Sequence, residues 1–144
     1  MALLATSSAA TDVSGDITTP TTWDGKGSPY IITTSVVVQD GATLTIEAGV
    51  EVKFDIGFFL ECQGTGRIVV LGTKANNTQF SSNSATPVIG DWPHIATGVG
   101  GTFNNATITH GTIGLYADTG SKVIDCTIKA CKTGIWVRGT GAYI

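Results

Sequence analysis

Charge is scarce in this chain of 144 residues, of which only 13% are Asp, Glu, Lys or Arg. A soluble globular domain usually carries about 25%. The eight basic residues are scattered and form no Lys/Arg cluster. A surface for nucleic-acid phosphates needs such a cluster, so nucleic acid is not an expected partner. No apolar run approaches the roughly 18 residues of a membrane span, and none is expected. Cysteine is equally sparse. Cys62, Cys126 and Cys131 are too few for a disulfide framework, and no Cys-x-x-Cys spacing marks a zinc site. They read as buried small hydrophobes, and Cys126 could meet Cys131 only across a turn. Helical periodicity is also missing, apart from "MALLATSSAA" at Met1 to Ala10. That stretch has the small residues of a signal-peptide cleavage region. It lacks a basic start and a full apolar core.

What the chain does have is Thr, Val, Ile and 19 glycines, with 42% hydrophobic residues and a net charge of -3. Such a mixture points to an all-β chain. Leu44, Ile46, Val50, Val52 and Phe54 fall at spacings of two, apart from one turn at Ala48-Gly49. Period-two alternation marks strands with one buried face. The strands are short, and Gly, Asn or Asp punctuates them.

The chain also repeats itself. "ATITHGTIGLYADTG" (Ala106 to Gly120) returns twenty residues later as "CTIKACKTGIWVRGT" (Cys126 to Thr140). Ile108 aligns with Ile128, Leu115 with Ile135, Tyr116 with Trp136, and Phe103 with Val123. One step earlier the same period sets Val88 on Ile108 and Ile95 on Leu115. A looser echo aligns Leu44 and Ile46 with Ile68 and Val70, and Phe54 with Phe80. Hairpins reverse direction and do not require a constant period; a coil returning to the same place does. The expected fold is an all-β, single-stranded, right-handed parallel β-helix of roughly five to six coils. Its core ladder includes Leu44, Ile68, Ile108, Ile128, Leu115 and Ile135. Residues 1–22 are expected to be an N-terminal cap or tail, and residues 23–144 the β-helix domain.

The order "GATLTIEAGVEVKF", "GRIVVLGT", "FSSN", "DWPHIA", "ATITHGTIGLYA" resembles the right-handed parallel β-helix domains of bacterial and archaeal extracellular proteins, the pectin-lyase-like group. The resemblance spans about Gly41 to Val137. It implies architecture strongly and chemistry hardly at all. One departure is Pro93-His94, where such proteins often have Gly in the Trp coil. Lyases of this fold combine acidic Ca²⁺ ligands with a basic residue that removes a proton. Calcium needs six to eight oxygens, yet no two acids here are adjacent and no Asp-x-Asp occurs. No cofactor is therefore expected, and Ca²⁺ is left as a ligand without support in the sequence. Glycosidase chemistry needs two carboxylates, and the chain has no Asp-Asp and no Asn-Thr-Asp. His110-Gly111 reads as a turn. Glu47 and Glu51 straddle another turn. Trp92 and His94 are the candidate carbohydrate-binding pair, through stacking on a sugar ring.

A solenoid exposes a raw strand edge at each end. The expected function is accordingly a non-catalytic structural module of an extracellular or cell-surface protein. Its expected partners are other copies of itself, joined end to end into a filament or tube, or other surface proteins. Carbohydrate binding or polysaccharide cleavage is the alternative.

Overall fold

The computed structural model describes residues 9–144. Sixteen strands, numbered β1 to β16 in chain order, form three parallel sheets among the described residues. The first sheet stacks β1 (Thr11–Val13), β3 (Tyr30–Ile32), β6 (Glu51–Phe54), β9 (Thr78–Ser82), β12 (Ala106–Thr109) and β15 (Thr127–Lys129). The second stacks β4 (Val36–Val38), β7 (Leu60–Cys62), β10 (Trp92–Ala96), β13 (Gly111–Ala117) and β16 (Thr133–Val137). The third stacks β2 (Thr21–Trp23), β5 (Thr43–Ile46), β8 (Arg67–Leu71), β11 (Thr102–Asn104) and β14 (Lys122–Ile124). The chain visits the three sheets in rotation. It thus winds a parallel β-solenoid of about six turns. In coil 1 the second sheet is reduced to one bridge, Ile17 to Val38; in coil 6 the third is reduced to Lys122 to Tyr143.

Stacking holds the fold together. In-register columns run along the axis: Leu44 on Ile68, Ile108 on Ile128, Leu115 on Ile135, and Phe103 on Val123. Leu44, Ile68, Ile108 and Leu115 are fully buried, and Ile128 and Ile135 pack against the same core from the last coil. Each fully buried aliphatic side chain contributes about 1.5–3 kcal/mol. Backbone groups are satisfied between coils rather than within them, as parallel ladders require.

Two expected alignments fail at coil 4, and a third, Ile95 on Leu115, is met only across a bulge. Val88 does not stack on Ile108; Phe80 does, and Val88 is 60% exposed. Phe54 does not stack on Phe80; Val52 does, and Phe54 pairs with Ser82. Ile95 pairs with Leu60, thirty-five positions away. On its other side the ladder shifts between His94–Ile113 and Ala96–Tyr116, so Ile95 faces Gly114 and Leu115 together. The physical reason is that loops between strands do not stack. Residues 72–77 and 83–91 lie outside the strands and lengthen this coil, so a constant period misaligns everything across them.

The coils also begin ahead of the expected boundary at Trp23. The Thr11 amide donates to the Pro29 carbonyl at 2.9 Å, the Thr33 amide to Val13 at 3.0 Å, and the Ile17 amide to Val37 at 2.9 Å. Thr11-Asp12-Val13 joins the ladder through its backbone, which a search for apolar alternation does not detect. The rest of the expected cap, residues 1–8, lies outside the described residues.

Candidate functional site

Polar and aromatic side chains gather on the outer face of the second sheet. Period-two alternation there turns Leu60, Ile95 and Leu115 inward and leaves Glu61, His94 and Tyr116 facing outward. Four rings from four successive coils form a column. Phe59 stacks on His94 at 4.9 Å with 12° between planes. His94 meets Tyr116 edge-on at 5.1 Å, and Tyr116 meets Trp136 at 5.9 Å. At a coil spacing of about 4.8 Å the column is about 15 Å long.

Charged groups flank it. His94 Nε2 lies 3.0 Å from Glu61 Oε2. On the next coils Arg138 grips Asp118 with two groups: Nε donates to Oδ1 at 2.9 Å and Nη2 to Oδ2 at 3.1 Å. The same guanidinium lies 4.0 Å above the Tyr116 ring. The Asp118 carboxylate also accepts the Gly98 amide at 3.0 Å. Asp118 is therefore committed to holding the corner together. A cleft of about 210 Å³ opens beside it, lined by Cys62, Gly64, Gly98, Val99, Asp118, Thr119 and Arg138.

His94 faces outward, its side chain 18% exposed between Phe59, Tyr116 and Glu61, whereas Trp92 does not reach the surface. Trp92 is fully buried, its ring stacked on Phe54 at 4.6 Å and its indole N–H donating to the Thr109 carbonyl at 3.1 Å. The expected carbohydrate pair is corrected on this point: residues two apart share a face only in a regular strand, and Trp92 fills the core as the chain enters β10 from the 83–91 loop. Glu47 and Glu51 are exposed at the corner between the third and first sheets, away from His94. The carboxylate beside His94 is Glu61, which sequence reasoning missed. Thirty-three residues separate the two, a distance set by the loops at 72–77 and 83–91 and invisible at the twenty-residue period.

His110 is a turn residue, with φ of 70°, and its carbonyl accepts the Gly90 and Asp91 amides at 3.0 Å each. Cys62, Cys126 and Cys131 are free and half-buried. Burial pushes the Cys62 thiol up to about 12 and raises the other two. None has the electropositive setting of a reactive thiolate. Among the described residues, no three His, Cys, Asp or Glu side chains gather as a metal site would require.

Three parallel sheets, wound by a chain that visits them in rotation, define the class of parallel β-helix proteins. The pectate-lyase-like β-helix domain family matches residues 15–128, most of the chain, and the chain belongs to that family. Its fold serves enzymes and non-enzymes alike. No curated protein and no solved structure matches the chain.

Proposed function

We propose that the chain is a rigid, non-catalytic structural module of an extracellular or cell-surface protein, able to associate end to end. The observation that carries this reading is the state of coil 6. Val137 continues the inward column of Ala117 yet is 49% exposed, whereas Ala117 is fully buried. Trp136, Tyr143 and Ile144 are each more than half exposed on the same coil. The outer sides of β15 and β16 carry no strand among the described residues. Uncovered apolar columns and open strand edges take a further strand, whether the next coil of the same chain or another copy. The aromatic column supports the same reading, because its rings spend their faces on one another and on Arg138 and so stiffen the rod.

Small-angle scattering over a concentration series tests this. End-to-end association lengthens the particle in steps of about 29 Å, six coils of about 4.8 Å, at constant cross-section. A particle of constant length up to millimolar concentration would overturn it.

One observation favours the alternative, polysaccharide binding. Trp136 is 54% exposed beside the Asp118–Arg138 cleft, so its indole is free to stack on a sugar ring. Glycan-array binding that vanishes in Trp136→Ala, with the fold intact by circular dichroism, would favour that reading instead.

A further inference from the structure

Two loops share the corner between the first and second sheets, well inside the stack. Residues 55–59 join β6 to β7 on coil 3, and residues 83–91 join β9 to β10 on coil 4. Backbone bonds tie the two together. The Gly57 amide donates to the Asp91 carbonyl at 2.8 Å, and the Gly90 and Asp91 amides donate to the His110 carbonyl on coil 5 at 3.0 Å each. Within the second loop, the Asp91 carboxylate accepts the Ser82 hydroxyl at 2.6 Å and the Val88 amide at 3.1 Å. The tip is therefore fixed from inside and from both neighbouring coils.

This fixed corner turns aliphatic side chains to solvent. Ile56 is 66% exposed, Val88 60% and Ile89 52%, and Pro87 beside them is exposed as well. The core does not need them, because Phe58 of the first loop and Trp92 after the second already pack into it. Residues 56–60 and 83–90 contain no Asp, Glu, Lys or Arg. The two acids of the corner are engaged: Asp55 accepts the Asn83 side-chain amide at 2.8 Å, and Asp91 is buried. One cation lies alongside. A Cβ added at Gly90 would meet Lys132 Cε at 3.2 Å and Nζ at 3.5 Å, which puts the Lys132 ammonium next to the Ile89-Gly90 step.

A convex, uncharged aliphatic tip with a cation at its rim suits a lipid surface, where aliphatic groups enter the acyl boundary and an ammonium meets anionic headgroups. The backbone supports the same choice. Unpaired amides and carbonyls are costly in lipid. Here the Val88 amide, the Val88 carbonyl and the Gly90 amide all have partners within the protein. We propose that this corner is a membrane-attachment surface, with Ile56, Val88 and Ile89 entering the interface of an anionic bilayer and Lys132 at the headgroups. Coils 3, 4 and 6 all contribute, so the rod lies along the membrane surface. The attachment holds with or without end-to-end association.

The test is flotation of the full chain with vesicles of phosphatidylcholine and phosphatidylglycerol. The native chain floats with them, less so at high salt. Val88→Asp and Ile56→Asp, one on each loop, each weaken binding about tenfold or more. Lys132→Gln weakens binding to these vesicles but not to pure phosphatidylcholine. Val99→Asp is the control: Val99 is 50% exposed at the corner between the second and third sheets, so its loss leaves binding unchanged. The substituted positions are exposed, and circular dichroism checks that each variant folds. A native chain that floats with neither vesicle overturns the proposal, as does a Val99→Asp variant that loses as much binding as Val88→Asp. If the chain does not float but forms a dimer that Val88→Asp dissociates, the patch belongs to a second copy and the lipid assignment is overturned.

Discussion

Coils 5 and 6 have nearly the same sequence pattern and opposite environments. Their strands pair residue for residue, Thr107 with Thr127, Ile108 with Ile128, Leu115 with Ile135 and Tyr116 with Trp136. Yet Ile108 and Leu115 are fully buried, while Ile128 and Ile135 are only partly covered. Sequence alone assigns both coils to the core. Burial in a solenoid depends on having a neighbour above and below, and coil 6 has one among the described residues. The same side chain therefore does different work in the two places.

The largest effect that sharpens this comparison is in the core column. Ile108→Ala is expected to cost about 2–5 kcal/mol, as for a full cavity between Phe80 and Ile128. Ile128→Ala, with one neighbour, is expected to cost about 1 kcal/mol in the monomer. Denaturant titration measures both; equal costs would break the contrast. Next comes a glycine pair. A Cβ on Gly114 would meet the Ile128 methyl at 2.6 Å and the Gly134 carbonyl at 2.8 Å, whereas on Gly134 the nearest atom is 3.9 Å away. Gly114→Ala should therefore destabilise by about 1–3 kcal/mol, and Gly134→Ala should stay within about 0.5 kcal/mol of native.

Alkaline pH probes Cys62, on coil 3, against Cys131 on the open coil. The unfolded Cys62 thiol loses its proton near 9.0, the folded one near 12. Between those values the unfolded chain binds fewer protons, so stability falls as pH rises, by about 1.4 kcal/mol per pH unit. Thermal unfolding at pH 8 and pH 10 should show the fall, and Cys62→Ala should flatten it. Alkylation of the native protein at pH 8 should label Cys62 last. The smallest effect is at the corner between β15 and β16. Ala130 has φ of 53°, in the left-handed region that costs a residue with a Cβ. Ala130→Gly is expected to stabilise by under about 1 kcal/mol, since relief of strain exceeds the added chain entropy.

Those corners show how far the sequence can be read. Asn105 and Asp125 share a positive φ, and so do His110 and Ala130, at the same twenty-residue spacing. Asn and Asp announce such a conformation, because short polar side chains tolerate it. His110 and Ala130 have nothing in common as residues, so the repeat of their conformation is not legible from them. The outer site was half legible. Tyr116 over Trp136 and Asp118 over Arg138 follow from the period, and the Arg138 grip on Asp118 follows from that stacking. Glu61 beside His94 does not, because the 72–77 and 83–91 loops lie between them in sequence.

The sequence by itself determined the parallel solenoid, the inward columns that join coil 2 to coil 3, and the register of the last two coils. A recurring strand pattern and alternating apolar residues leave few other ways to bury so much Val, Ile, Leu and Phe without charge. Only the tertiary structure decided where the solenoid starts, which tryptophan is buried, and which carboxylate meets His94. Those depend on backbone hydrogen bonds and loop lengths, which place residues in space without leaving a periodic trace along the chain.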